Sequence, residues 1–250
     1  MAFDKYFDKQ FELRYFEMNE LGLATPAIML ALLEETAAEH CYAIDYSLFD
    51  LLKKNIGWVL FSGGLQMDRY PNYKEKITVR TWLSSYSTIK GFRENLILDE
   101  HQNIIGRAKG LWVFFDIEKR RPTPIFTDIK EKWSLFNESS IELNIKQKIE
   151  AVDQADYIGQ FKVNRFDTDM NKHVNNIRYL QWVLESIPED IINTHFLHLI
   201  DGRFISEAQF GDTVISLTKE LETPNKFHHT ITIEGSDKVC ATATTIWKKH

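Results

Sequence analysis

The sequence predicts an α+β fold built from two tandem copies of one plan, each a helix backed by an antiparallel sheet. Three observations predict it. Compared with itself at a displacement of about 151 residues, the chain shows a faint repeat. Arg14-Tyr15 faces Arg165-Phe166, Leu23 faces Val174, and Leu33-Glu34 faces Leu184-Glu185. Each copy runs from an extended alternating stretch through a polar turn into an apolar-periodic helix. Each helix is then followed by four strand-like segments separated by turn signals.

In the first copy Thr25 suits the N-cap and Pro26 the first helical position, and Ile28, Met29, Leu32 and Leu33 make one apolar face ahead of Thr36. In the second, Asn175 or Asn176 can cap. There Ile177, Leu180, Val183, Leu184 and Ile187 recur at helical spacing until Pro188 stops the run. Strands are expected from Trp58 to Met67, Ile77 to Ser84, Gly91 to Leu98 and Ile104 to Phe115. Their counterparts are Phe196 to Ile205, Thr213 to Leu221, His228 to Ile233 and Val239 to Trp247. Four long antiparallel strands can bury a helix by wrapping around it, which is the hot-dog arrangement, and two such units in one chain would pack as a pseudo-dimer. Residues 133–155 are polar and turn-rich, as a linker would be. The expected organisation is therefore an N-terminal unit over 1–132, a linker over 133–155 and a C-terminal unit over 156–250.

Composition narrows the function classes. Of the 250 residues 44% are hydrophobic and 26% charged, which suits a globular chain. No apolar run reaches the roughly 20 residues of a membrane span, and the charged, aromatic start does not read as a secretory signal, so a cytoplasmic protein is expected. The net charge of −6 argues against a general nucleic-acid binder, although Lys119, Arg120 and Arg121 form a local basic run. Cys41 and Cys240 lie far apart with no metal-ligand spacing, so reduced core thiols are expected, with no metal and no cofactor.

The chemistry concentrates in residues 164–176. If that stretch is extended, Asp169, Asn171 and His173 occupy i, i+2 and i+4 and project to one side. Beside them the start of the helix, at Val174, Asn175 and Asn176, offers backbone N–H groups and a partial positive charge suited to an oxyanion. The plainer reading is that the polar side chains make turn hydrogen bonds and the asparagines only cap the helix. At the displacement used above, Asp169, Asn171 and His173 face Met18, Glu20 and Gly22. A turn that must be polar for structural reasons should be polar in both copies, so the contrast favours chemistry.

The run RFDTDMNKHVNNIRYLQWVLESIP resembles the signature of the acyl-acyl carrier protein thioesterases: a basic residue, D-x-D-x-N-x-H-V-N-N, then an aromatic-containing helix ending in L-E-S. FELRYFEMNELGLATPAIMLALLEETAAEH is similar to the family's first strand and helix. Trp58-Val59-Leu60, Arg69-Tyr70-Pro71 and Gly106-Arg107-Ala108 also fall where it has comparable motifs. The resemblance implies catalytic positions at Asp169, Asn171, His173 and Glu207, the last facing Tyr70 in the first copy. The family often has a cysteine directly after that glutamate. Here the position is Ala208, so a thiol-independent reaction is implied.

On this reading Asp169 and Glu207 activate water, or one carboxylate attacks first. Asn171 orients, His173 bonds the carbonyl region or shuttles a proton, and the N–H groups near Val174 to Asn176 hold the oxyanion. The acyl chain would lie beside the first helix, with Ile28, Met29, Leu32 and Leu33 as candidate lining, although core packing explains each of them as well. The expected partner is an acidic acyl carrier protein bearing a phosphopantetheine-linked chain, met by a monomer or homodimer. An acyl-coenzyme A thioesterase and a catalytically silent acyl-binding module stay open. A hot-dog hydratase fits less well, because its D-x-N-P-x-H motif needs a proline and wider spacing than Asp169 to His173.

Overall fold

The computed structural model describes residues 5–169 and 174–250. The chain divides into two compact units between Leu143 and Asn144. Unit one opens with strand β1 (Phe7–Glu12), a 3₁₀ turn (Tyr15–Glu17), the long helix α1 (Pro26–Ala43) and the short α2 (Leu48–Lys53). It continues through β2 (Ile56–Met67), β3 (Lys76–Tyr86), β4 (Lys90–Leu98), β5 (Ile104–Asp116), the two-residue β6 (Arg121–Pro122) and α3 (Thr127–Lys132). Its strands pair antiparallel in the order β1-β3-β4-β5-β2, with β6 on β5.

Unit two repeats the plan with β7 (Tyr157–Lys162), a 3₁₀ turn (Arg165–Asp167), α4 (Asn176–Leu184), α5 (Glu189–Thr194), β8 (His195–Phe204), β9 (Thr213–Glu220), β10 (Lys226–Ile233) and β11 (Val239–Lys249). The order β7-β9-β10-β11-β8 matches unit one strand for strand. This is the α+β double hot-dog plan. No helix among the described residues is long and apolar enough to cross a membrane.

Helix α1 starts where the sequence requires. The Thr25 hydroxyl accepts the Ile28 N–H at 3.3 Å, and Pro26 gives up no needed donor. Met29, Leu32, Leu33, Thr36, His40 and Cys41 are buried at helical spacing, while Ile28 is half-buried. Thr36 lies buried within the helix, its hydroxyl donating to the Leu32 carbonyl at 2.7 Å and so finding a partner inside the turn.

Helix α4 differs from expectation in both length and face. It ends at Leu184, four residues before Pro188, which instead caps α5. Its buried residues are Tyr179, Leu180, Trp182 and Val183, while Ile177 and Leu184 are only half-buried. The two aromatic rings carry more apolar area than the aliphatic positions and rotate the core face toward themselves.

Residues 133–155 are not a solvated spacer. Trp133, Ile141, Ile145 and Val152 are buried. Up to the division the segment is fastened to unit one, where Ser140 donates its N–H and its hydroxyl to the fully buried Glu94 at 3.0 and 2.8 Å. Beyond it the segment is fastened to unit two, where Arg203 donates to the Gln147 and Asn144 carbonyls and the Val152 N–H bonds the Thr230 hydroxyl. Polar composition concealed this, since its hydrogen bonds go to protein rather than to water.

Candidate functional site

The approach to α4 is built from the backbone outward. The Val163 N–H donates to the Asp212 carbonyl at 2.9 Å, tying the end of β7 to the turn before β9. In the 3₁₀ turn that follows, the Asn164 N–H donates to the Asp167 carboxylate at 2.6 Å. The same carboxylate pairs with the Arg178 guanidinium on α4 at 3.1 Å. Thr168 and Val174 then form an antiparallel bridge, and the Asn175 N–H donates to the Asp167 carbonyl at 2.9 Å. Asp169 is exposed and stands immediately inside this neck. Asn171 and His173 lie outside the described residues.

The helix start is partly committed. The Asn175 side chain caps α4 by accepting the Ile177 N–H at 2.8 Å, and the Arg178 N–H donates to the Asn175 carbonyl. With the Asn175 N–H given to Asp167, three of the donors around the helix start already have protein acceptors. The expectation that Asn175 N–H holds an oxyanion is therefore corrected. Val174 is buried and Asn176 is the first helical residue.

Glu207 arrives from the other direction, half-buried between the end of β8 and the turn into β9. Ile205 and Ser206 both donate their N–H to the Cys240 carbonyl, and the Ser206 hydroxyl donates to the Val239 carbonyl at 2.6 Å. The peptide group between Glu207 and Ala208 is held at both ends. Its oxygen accepts from the Lys238 ammonium at 2.6 Å, and its N–H donates to the Tyr179 hydroxyl at 3.0 Å. Burial pushes the Tyr179 pKa up, with Glu207 and Asp212 adding to it, so the phenol stays protonated. Asp169 and Glu207 are thus both carried by segments fastened to α4 near its N-terminus. The sequence reading missed Tyr179, Arg178 and Lys238. Tyr179 was legible only as part of the aromatic-containing helix.

The structural match between the copies also corrects the sequence register. The N-caps Thr25 and Asn175 stand 150 residues apart (175 less 25), as do the bridges Met18 to Ala24 and Thr168 to Val174. Asp169 therefore corresponds to Asn19, not Met18, and by count Asn171 and His173 fall opposite Leu21 and Leu23. Asn19 is itself a turn former, its side-chain oxygen accepting the N–H groups of Leu21 and Leu23 at 3.0 Å. The position of Asp169 is thus polar in both copies, and the one-sided contrast rests on the other three residues. The turn in which Asn72 N–H donates to the Glu75 carboxylate matches that of Gln209 and Asp212, which keeps Glu207 opposite Tyr70 and puts Ala208 opposite Pro71.

The helix of unit one presents Met29, Leu32 and Leu33 buried and Ile28 half-buried. Beneath its last turn the buried Arg93 guanidinium reaches the His40 imidazole and the Thr81 hydroxyl, both at 3.1 Å. Among the described residues no group of three or more His, Cys, Asp or Glu side chains could hold a metal ion.

Residues 4–133 match the family model of the acyl-ACP thioesterase N-terminal domain, and residues 150–249 match that of the C-terminal domain. Among curated relatives, oleoyl-acyl carrier protein thioesterase 1 of Arabidopsis thaliana is 28% identical over 97% of this chain and 76% of its own length. Thioesterase 2 of the same plant is 31% identical over 88% of this chain and 64% of its own. The chain thus spans between about two thirds and three quarters of these relatives. The 12:0-ACP thioesterase of Umbellularia californica superposes with a TM-score of 0.87 at 20% identity over 100% of both chains. An acyl-ACP thioesterase of Bacteroides thetaiotaomicron superposes with a TM-score of 0.86 at 23% identity over 98% of both. At those identities the two structures establish the fold.

Proposed function

We propose that this chain, which belongs to the acyl-ACP thioesterase family, hydrolyses the thioester of a fatty acyl-acyl carrier protein to free fatty acid and carrier thiol. The observation that carries the reading is local. The neck that holds Asp169 and the peptide that follows Glu207 are both hydrogen-bonded to α4 or its cap, so the two segments that carry these carboxylates are tied to one helix start.

Unit two is the catalytic unit in this proposal. Asp169 and Glu207 draw a proton from water as it attacks the carbonyl carbon, or one of them attacks and water resolves the anhydride. Asn171 orients the carboxylate or the water, and His173 bonds the carbonyl region. The oxyanion falls to the N–H groups of Val174 and Asn176, since that of Asn175 is engaged. The thiolate leaves without strong acid assistance. Unit one holds the acyl chain along α1, beside Ile28, Met29, Leu32 and Leu33. Residues 133–155 join the two roles. The protein meets its acidic carrier in the cytoplasm, as a monomer or homodimer, and the carrier's charge calls for Lys or Arg on the docking face.

The test is a panel of acyl chains from short to long, presented on acyl carrier protein and on coenzyme A, with free fatty acid and free thiol read together. The relatives named above are described for oleoyl- and 12:0-acyl carrier proteins, so those chains come first. Stoichiometric release with a higher kcat/KM for the protein carrier is expected. Tight binding without release would make the chain a silent acyl-binding module, and equal or better turnover of the coenzyme A esters would remove the carrier assignment.

A further inference from the structure

We propose that the Tyr179 hydroxyl is a positioning group for the reaction, locking the peptide that follows Glu207 against α4 so that the carboxylate is presented to the helix start. The proposal rests on the hydrolytic reading of unit two and adds a residue to it. Four observations carry it. The Ala208 N–H reaches the Tyr179 oxygen at 3.0 Å, and the Glu207 carbonyl of the same peptide accepts from Lys238 at 2.6 Å, so that peptide plane is pinned at both edges. The Tyr179 ring is itself immobilised. It is buried and packed edge-on against Trp182 and Phe204, with centroids at 5.2 and 5.9 Å. Tyr179 is the fourth residue of α4, one turn from the Asn175 cap, so whatever it holds is held close to the N-terminal N–H groups.

The fourth observation is the other copy. Opposite Tyr179 stands Met29, which offers no hydroxyl oxygen, and opposite Ala208 stands Pro71, which has no N–H to give. Both halves of the hydrogen bond are missing from the unit whose residue opposite Glu207 is Tyr70. A bond needed only to hold this fold together would be expected in both copies. Its presence in one, together with the carboxylate, ties it to the carboxylate.

Tyr179 is assigned neither a contact with the reacting atoms nor a proton to transfer. Its effect is on the aim of Glu207, so its loss should lower kcat more than it weakens binding.

The experiment uses the full chain and three variants, Tyr179→Phe, Ala208→Pro and the pair together. Hydrolysis of the best acyl-acyl carrier protein is followed alongside hydrogen exchange of the Ala208 amide in wild type and Tyr179→Phe. Tyr179→Phe keeps the ring and its packing, and Ala208→Pro installs the residue that unit one already tolerates. Each single variant is expected to lower kcat about 10- to 100-fold with KM within about twofold, since a small misplacement near the chemistry costs on that order. The double variant should be no worse than the poorer single, because both remove one bond. The Ala208 amide should lose protection in Tyr179→Phe while neighbouring strands keep theirs.

Wild-type kcat in Tyr179→Phe, with Glu207→Gln inactive, would overturn the positioning role and leave the hydrolytic reading standing. Additive losses in the double variant would also overturn it. Failure of the wild-type chain to release fatty acid from any carrier would overturn the hydrolytic reading, and the positioning role with it.

Discussion

Both units lead into their helix through the same neck, and they fill it differently. In unit one Met18 bridges Ala24, and Asn19 spends its side-chain oxygen on the N–H groups of Leu21 and Leu23. In unit two Thr168 bridges Val174 and the corresponding residue is the carboxylate Asp169. Further along, unit one closes its turn with the buried Tyr70 and Pro71, where unit two has the half-buried Glu207 and a hydrogen-bonded Ala208. The contrast teaches that the fold needs the neck and the cap but not a carboxylate at the positions of Asp169 and Glu207. Unit one builds the same helix entry without either.

The largest effect that could break this comparison is loss of turnover. Asp169→Asn and Glu207→Gln should each lower kcat by about 100- to 10,000-fold, the range over which acid–base groups act. Their melting temperatures should stay near wild type, because the neck is held by backbone bonds and by Asp167 with Arg178. Steady-state hydrolysis with thermal unfolding on the same samples checks this. Near-normal hydrolysis by either folded variant would remove that carboxylate from the mechanism.

The units also differ in what they bury, which gives a pH test. Unit one buries His40 beside Arg93, and unit two buries His229 between the hydroxyls of Thr218 and Thr245 at 2.9 and 2.8 Å. Burial pushes both imidazoles down to about 3, with the Arg93 charge adding to it at His40 and His228 at His229. The native state thus keeps them neutral while the unfolded chain protonates near the ordinary value of about 6.5. The unfolded state then binds more protons below that value. The contribution is fully present above about 6.5 and is lost as pH falls toward the native values. Between pH 7 and 5, where carboxylates stay mostly ionised, the melting temperature should fall. His229→Gln, which can still bond both threonines, should flatten that slope, and an unchanged slope would exclude His229 as its source.

Much of this was legible in the sequence because it depends on local rules. Thr25 before Pro26 fixes a helix start, and the alternating runs place eight strands to within a few residues. The site was legible as a motif but not as a geometry. Tyr179 meets Ala208 across 29 residues, and Lys238 meets Glu207 across 31, and no periodicity encodes such pairs. The register between copies slipped by one residue for a related reason. Arg14 and Arg165 look alike as letters, but the N-caps and bridges decide which positions correspond, and those are hydrogen-bond facts.

The smallest expected effect is the sharpest test of what the neck is for. Asn19 accepts two backbone N–H groups but is exposed, so water can replace part of what it supplies. Asn19→Ala should therefore cost about 1 kcal/mol, the usual net worth of such bonds, which for a chain of this size is a fall of roughly 2–4 °C in melting temperature. Turnover should be unchanged, because the unit-one neck carries no reacting group. The two variants at corresponding positions should then show opposite signatures, a loss of stability alone at Asn19 and a loss of rate alone at Asp169. If Asn19→Ala slowed hydrolysis as strongly as Asp169→Asn, the asparagine would belong to the reaction and the division of labour between the units would fail.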